Sequence, residues 1–236
     1  MRIIPAILEK NFFETEKKLE FLTFLKRKYS LAFDTIQIDF CDGIFVENKT
    51  WILDLSKKDE VSKIISYREI FNIEYHLMCE NQYDIFLNLL EIGVKRIVVH
   101  IDNIFNSNEL LNILKKAEEN FVKIIITSKL SFMDTNREQI ISFLNKYKNI
   151  DLQIMGIDRI GTQGIDFDEK CLSLVKFFRK NFTEKDLYIQ IDGSMNEDTI
   201  LLAKKAGVNG AIVGSYLMKD LHEMKFISRF KDIKSI

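Results

Sequence analysis

Apolar and polar positions along the chain follow two alternating patterns. Short runs rich in Ile, Val and Leu are separated by longer stretches whose apolar residues recur three or four positions apart. The first pattern is typical of buried strands and the second of amphipathic helices. Strands are predicted at residues 2–8, 35–40, 73–78, 96–101, 122–127, 152–157, 187–192 and 210–213. One helix is predicted after each strand, at about residues 14–27, 59–70, 84–92, 107–119, 136–147, 168–180, 196–206 and 219–230.

This regular alternation restricts the fold class. Strand–helix units pack as parallel strands with right-handed crossovers, which leaves an open doubly wound sheet or a closed barrel. Eight units in 236 residues favour the (β/α)8 TIM barrel, an α/β fold, as a single domain over residues 1–236. In such a barrel the active site lies at the C-terminal ends of the strands, so those ends are where chemistry is sought.

Composition narrows the class of partner. Lys and Arg number 34 against 35 Asp and Glu, a formal net charge of -1, and this balance argues against nucleic acid as a main partner. No apolar run approaches the roughly 18 residues of a membrane span, and the first residues lack a signal-peptide layout, so a cytoplasmic protein without a membrane partner is expected. The cysteines Cys41, Cys79 and Cys171 are widely spaced, which predicts reduced thiols.

Three ionisable side chains fall at predicted strand ends. Asp39 follows Gln37 on the same face of the second strand, His76 lies near the end of the third strand and Asp192 ends the seventh. Taken singly, each has a structural interpretation: an internal hydrogen bond for Asp39, a core histidine for His76 and a turn or helix cap for Asp192. Because a closed barrel points all three at one space, we interpret them as ligands of one divalent ion or as an acid–base pair.

Two loops of small residues follow the last two strands. Gly193 and Ser194 come after the seventh strand, and Gly214 and Ser215 come after the eighth. Glycine lets backbone N–H groups approach an anion closely, and barrels commonly hold phosphate at these two loops. The loops therefore predict a phosphate site.

The two remaining histidines are interpreted structurally. His100, at the end of the fourth strand, precedes Asp102 by two positions, and an internal hydrogen bond is favoured over membership of the site. His222 is predicted to lie, solvated, in the last helix.

Several blocks of sequence, in this order, resemble the ribulose-phosphate 3-epimerase family. The resemblance runs from residue 3 to about 218, and its blocks are residues 4–8 (IPAIL), 39–48 (DFCDGIFVEN), 76–81 (HLMCEN), 191–200 (IDGSMNEDTI) and 206–215. It implies a (β/α)8 barrel that binds one divalent metal ion (Zn, Fe(II), Mn or Co) and inverts C3 of a ketose phosphate through an enediolate. Homo-oligomers are frequent in that family, but no residue pattern here fixes one.

The resemblance also implies roles for individual residues. Asp39 and Asp192 match the positions of the catalytic acid and base, and together with His76 they match metal ligands. Met78 and Met155 match methionines that line the site and exclude water. Phosphate-binding positions of the family are matched by Gly193, Ser194, Gly214 and Ser215.

The chain departs from the family pattern at the site itself. Gln37 stands where the family has a metal-binding histidine, and an amide oxygen is a poorer ligand for zinc-like ions, so a weaker or different metal is expected. Ala6 replaces a serine, and Cys41 replaces a methionine. The loop at residues 155–164 lacks the family's glycine pairs; Arg159 within it is interpreted as a substitute phosphate ligand or, equally, as a surface arginine.

Three alternatives to a pentulose-phosphate epimerase follow. Ser194 resembles the relatives that act on hexulose 6-phosphates, such as allulose 6-phosphate 3-epimerase. Because Gln37 stands where the family has a metal-binding histidine, a non-catalytic homologue that binds a sugar phosphate is also compatible with the sequence. An aldolase or decarboxylase of the same fold is disfavoured, because no lysine stands at a strand end for Schiff-base chemistry.

Overall fold

Eight parallel strands pair in chain order, and the eighth pairs back with the first, so the sheet closes into a barrel. The computed structural model describes residues 1–147 and 149–236. The strands are β1 Arg2–Ile7, β2 Thr35–Cys41, β3 Asn72–Met78, β4 Arg96–His100, β5 Lys123–Thr127, β6 Ile150–Met155, β7 Ile189–Asp192 and β8 Gly210–Val213. The predicted single-domain (β/α)8 barrel is thereby confirmed.

Helices surround the barrel and cover its outer face. They are α1 Phe12–Tyr29, α2 Lys58–Tyr67, α3 Gln82–Glu91, α4 Asn108–Glu119, α5 Leu130–Thr135, α6 Arg137–Lys146, α7 Lys170–Asn181, α8 Glu197–Ala206, α9 Ser215–Met218 and α10 Glu223–Ser235. Outward-facing strand residues such as Ile38 and Phe40 are buried against these helices. Both faces of each strand are therefore covered, which explains why the strands read as nearly continuous apolar runs.

The prediction of one helix after each strand is wrong in two places. Two helices, α5 and α6, follow β5, because Asn136 between them has non-helical backbone angles (φ -104, ψ 11). Two helices, α9 and α10, follow β8, because Leu221 takes a positive φ of 44 and turns the chain. His222 is therefore not inside the last helix but is the residue that caps the N-terminus of α10.

The inside of the barrel is polar below the site. The Gln190 amide donates to Glu74 Oε1 (2.6 Å) and to Gln153 Oε1 (2.7 Å), and the Arg96 guanidinium pairs with the other Glu74 oxygen at 2.9 Å. Burial raises the pKa of Glu74, and the nearby Arg96 opposes this effect. These bonds fix the Gln153 amide, which reaches up toward the C-terminal ends of the strands.

None of the helices in the described part of the chain is long and apolar enough to cross a membrane.

Candidate active site

The three ionisable residues singled out at strand ends come together at the C-terminal mouth of the barrel. Asp39 on β2 lies directly beside His76 on β3 in the strand register. His76 Nδ1 is 3.3 Å from Asp39 Oδ1 and 3.4 Å from Asp192 Oδ2. One potential ligand atom from each of the three residues lies within 4.8 Å of the other two, so this trio could hold a metal ion.

Gln37 completes the group, but with its nitrogen. Its Nε2 donates to Asp39 Oδ1 (2.8 Å) and to Asp192 Oδ2 (3.3 Å), and it lies 3.5 Å from His76 Nδ1. The Gln37 Oε1 atom is buried and has no hydrogen-bond partner among the described residues. Turning the amide about its last bond would exchange the two atoms and bring an oxygen ligand to the trio. The donor set of this structure therefore fits a divalent ion, with Gln37 as the residue that must reorient.

The trio retains a proton at neutral pH. Burial raises the pKa of Asp39, with a further contribution from the Asp192 carboxylate, and the hydrogen bonds from His76 and Gln37 oppose it. For His76, burial favours the neutral imidazole, but the hydrogen bonds to Asp192 and Asp39 outweigh it and raise its pKa to about 9. Both shifts depend on the position of His76 between two carboxyl groups, of which Asp39 is buried and Asp192 is partly exposed.

His100 and Gln153 contact the trio from below and beside it. His100 Nε2 lies 2.9 Å from His76 Nε2, so the favoured internal hydrogen bond of His100 is made to a site residue as well as to Asp102. The Gln153 amide donates to Asp192 Oδ2 at 3.3 Å. Gln153 was missed in the sequence, although it shares the inward face of β6 with Met155, two positions on, and the alternation used for Gln37 and Asp39 would have found it.

A cavity opens directly above Asp39 and Asp192. Six of the seven residues that the sequence assigned to substrate or phosphate line this cavity: Met78, Met155, Gly193, Ser194, Gly214 and Ser215. Ala6, which stands where the family has a serine, lines it as well. Residues 161–164, in the loop after β6, also line the cavity and were not predicted individually. The cavity thus connects the ionisable trio to the two small-residue loops.

An apolar cluster forms one wall of this cavity. Met78 and Met155 pack with Cys41, Val46 and Ile160. Burial raises the pKa of the Cys41 thiol, so this residue stays neutral and serves as a small apolar group. Val46 also packs against Gly161, and Asn48 donates to the Gly161 carbonyl at 3.0 Å, which joins the loop after β2 to the loop after β6.

The loop after β7 has an unusual backbone. Gly193 has a φ of +119, and a Cβ added to it would lie 2.9 Å from the Ile157 side chain. Ser194 follows with a φ of 52, a conformation that favours glycine. The Ser194 hydroxyl donates to the Ile165 carbonyl, which ties the β7 loop to the β6 loop.

Arg159 is not brought to the cavity. It is exposed, its guanidinium pairs with Glu47 in the loop after β2, and it is not among the lining residues.

Comparison with known proteins yields one consistent family. A profile described as the ribulose-phosphate 3 epimerase family matches residues 2–218. The chain is 27% identical to the ribulose-phosphate 3-epimerase of Chlamydia pneumoniae over 191 residues, which cover 79% of this chain and 76% of that protein. It is 22% identical to the enzyme of the same name from Helicobacter pylori over 238 residues, covering 99% and 98%.

Solved structures share the fold at greater distance. Orotidine 5'-phosphate decarboxylase from Pyrococcus horikoshii superposes with a TM-score of 0.64 at 14% identity, covering 99% of this chain and 100% of that one. A 3-hexulose-6-phosphate synthase superposes with a TM-score of 0.61 at 15% identity, covering 100% and 99%. At such identities the likeness establishes the barrel alone.

Proposed function

The chain belongs to the ribulose-phosphate 3 epimerase family and is an isomerase of the epimerase type, and from this premise we propose that it inverts C3 of ribulose 5-phosphate or a close ketose phosphate. The observation that carries the proposal is the convergence of Asp39 and Asp192, from strands that are not neighbours in the barrel, on the buried His76, with both carboxyl groups lining the cavity. Two carboxyl groups at one cavity are what a two-sided proton transfer needs.

In the proposed reaction, one aspartate removes the proton from C3 and the bonding electrons move into a C2–C3 double bond, which makes the C2 oxygen part of an enediolate. The other aspartate then returns a proton to the opposite face of C3. In this division one carboxyl must hold a proton while the other is ionised, and the raised pKa of Asp39, caused by its burial and by the Asp192 carboxylate, supports Asp39 as the carboxyl that holds it.

Asp39, His76, Asp192 and a reoriented Gln37 would hold the divalent ion, Zn, Fe(II), Mn or Co. When bound, such an ion stabilises negative charge on the oxygens of the enediolate. The wall formed by Met78 and Met155 would exclude water from that intermediate.

Phosphate would be held at the other end of the cavity. Gly193, Ser194, Gly214 and Ser215 line the cavity, and the backbone N–H groups of these two loops are the donors that a phosphate group would use. Arg159 lies outside the cavity and pairs with Glu47, so our proposal of Arg159 as a phosphate ligand requires its guanidinium to leave Glu47 and turn toward the bound phosphate.

Ser194 favours a second candidate substrate, a hexulose 6-phosphate. Its hydroxyl ties the β7 loop to the Ile165 carbonyl, so the covering loop is fixed differently than it would be with a glycine at this position. A six-carbon substrate carries one more hydroxymethylene group between C3 and the phosphate, and the position of this loop determines whether that group is accommodated.

The decisive experiment follows the C3 proton by NMR. The protein is incubated in D2O with ribulose 5-phosphate, without metal and with added Zn, Mn or Fe(II). We expect deuterium at C3 and formation of xylulose 5-phosphate with at least one metal. Exchange with allulose 6-phosphate alone would favour the second candidate, and absence of exchange with both substrates and all three metals would refute catalysis and favour a binding-only protein.

Variants test the residue roles in the same assay. Asp39→Asn and Asp192→Asn should each lower C3 exchange by roughly 100-fold or more, the size of effect that general acid–base groups produce. Asp54→Asn is the matched control, because Asp54 is exposed and its Oδ1, which caps the backbone of Ser56, survives in asparagine. Full activity in either site variant would contradict the assignment.

A further inference from the structure

We propose that His100 and Asp102 are positioning residues that keep a proton on His76 Nε2, so that Nδ1 is the ring nitrogen that serves the space between Asp39 and Asp192. The inference rests on the proposed function in one respect, because it assigns that nitrogen to the metal. The inference rests on a chain of three hydrogen bonds. His76 Nε2 lies 2.9 Å from His100 Nε2, His100 Nδ1 lies 3.1 Å from Asp102 Oδ2, and the Lys129 backbone N–H donates to Asp102 Oδ1 at 2.9 Å.

The direction of each hydrogen bond follows from these contacts. The Lys129 amide can only donate, and an ionised carboxylate can only accept, so Asp102 accepts from both sides. Burial alone would raise the pKa of Asp102, but its hydrogen bond with His100 and the Lys129 amide outweigh burial and lower it. His100 therefore carries its proton on Nδ1, and its Nε2 has a lone pair that accepts a hydrogen bond. One hydrogen must lie between the two Nε2 atoms, and it consequently belongs to His76.

The reverse assignment is disfavoured by the same contacts. A proton on His100 Nε2 with none on Nδ1 would place a lone pair against the Asp102 carboxylate in a fully buried position. A doubly protonated His100 is disfavoured because it would place a positive charge in a fully buried position beside the His76 ring. The His100 backbone is fixed by the Gln82 side chain, which bonds both its N–H and its carbonyl at 2.8 Å, and the ring is in contact with the Phe45 ring, whose centroid is 5.0 Å away.

The neighbouring amide does not change this conclusion. Gln153 Nε2 lies 3.5 Å from His76 Nε2, at the limit of a hydrogen bond, and it has a closer acceptor in Asp192 Oδ2 at 3.3 Å. Its orientation is set from below, where its Oε1 accepts from Gln190. His100 is thus the acceptor for His76 Nε2–H.

The consequence is that only one nitrogen of His76 is available to the site. With Nε2–H committed to His100, Nδ1 takes either a proton shared with the two aspartates or a metal ion. Partners that fix a ligating imidazole in this way are worth about 10- to 100-fold in metal affinity.

The first test needs no variant and no metal. The chain has 3 histidines, so 15N-labelled histidine gives few ring signals, and protonated and unprotonated ring nitrogens resonate far apart. In the metal-free protein at neutral pH we expect His100 to be protonated at Nδ1 and not at Nε2. Protonation of His100 at Nε2, or at both nitrogens, would overturn the inference.

The second test uses one isosteric substitution to reverse the direction of the hydrogen bonds from Asp102 through His100 to His76. In Asp102→Asn, the amide oxygen must turn to the Lys129 N–H, so the amide N–H₂ group faces His100 Nδ1. We expect the His100 proton to move to Nε2, His76 Nε2 to lose its hydrogen, and affinity for Zn or Mn to fall about 10- to 100-fold. A purely structural role of Asp102 would leave the His100 tautomer unchanged, since asparagine keeps the Lys129 bond, and that result would overturn the inference.

Controls separate this inference from the proposed function. Asp54→Asn should leave both the histidine signals and the metal affinity as in the unaltered protein. The His100 tautomer in the metal-free protein decides the inference, whereas C3 exchange by the unaltered protein decides the proposed function, so either can fail alone.

Discussion

Replacing Gln37 with histidine should tighten metal binding. In the structure the Gln37 amide nitrogen, not its oxygen, faces the trio, and it donates to Asp39 at 2.8 Å and to Asp192 at 3.3 Å. A metal ion entering the trio repels that N–H₂ group, so the amide must turn. Gln37→His would instead offer an imidazole nitrogen with a lone pair, the ligand type that zinc-like ions prefer.

The magnitude follows from the bonds that turning breaks. A hydrogen bond to a charged group contributes roughly 1.5–3 kcal/mol, and the second one here is long, so turning the amide costs about 3 kcal/mol. After the turn, Nε2 takes the buried position that Oε1 now holds without a hydrogen-bond partner, so the turned amide gains no new hydrogen bond to compensate for the two it loses. Because 1.4 kcal/mol is about tenfold in a binding constant, we expect Gln37→His to raise affinity for Zn or Co by roughly 100-fold.

The assay is competition with a chelator of known affinity, at fixed pH. Gln37→Leu serves as the matched variant, because leucine fills a similar volume with an apolar side chain that has no ligand atom. If the turned Gln37 oxygen is a ligand, affinity falls in the order His, Gln, Leu. An affinity of Gln37→His equal to or below that of the unaltered protein would refute the reasoning, and so would tighter binding by Gln37→Leu than by the unaltered protein.

Three further outcomes are expected. The metal-free protein should be most stable near pH 6.5. Below that pH the unfolded protein gains a proton at His100 that the folded protein takes up only near its pKa of about 4, so stability falls as the pH is lowered. Above that pH the unfolded protein has lost the His76 proton that the folded protein keeps up to its pKa of about 9, so denaturant unfolding should show stability falling as the pH is raised. Each histidine contributes about 3 kcal/mol to this change, and a flat profile between pH 4 and 9 would contradict both assignments. Gly193→Ala should weaken sugar-phosphate binding at least tenfold by calorimetry, since its Cβ would lie 2.9 Å from Ile157 at a φ of +119; unchanged affinity would show that the loop relaxes freely. Arg159→Ala should raise KM for the sugar phosphate about tenfold with kcat unchanged, the loss expected for one phosphate contact, and an unchanged KM would leave Arg159 as a surface residue.

The alternation of residue types was sufficient to predict the barrel and the polar side chains that come together at one end of it. Strand periodicity placed Gln37 and Asp39 on one face, and the strand ends placed His76 and Asp192 at the same mouth, as the structure has them. This succeeds because side-chain direction in a strand is a local property with a period of two residues, and closure of a parallel barrel brings all the strand ends to one side.

Helix boundaries were less predictable, because they do not depend on local residue pattern alone. The break between α9 and α10 depends on the positive φ of Leu221, a residue type that carries no turn signal in the sequence. Such a backbone angle is imposed by how the chain packs at that point and not by the residue's own preference.

The sequence by itself determined the fold class, the polar residues at each strand end and the apolar faces of the helices, because these follow from local period and residue chemistry. Only the tertiary structure decided which atoms meet: the Gln37 nitrogen facing the aspartates, His100 bonded to His76, Ser194 bonded to Ile165, and Arg159 paired with Glu47. These contacts join residues on different strands and loops, whose relative positions are fixed by closure of the whole barrel, and an amide or imidazole turns to match the donors and acceptors it meets there.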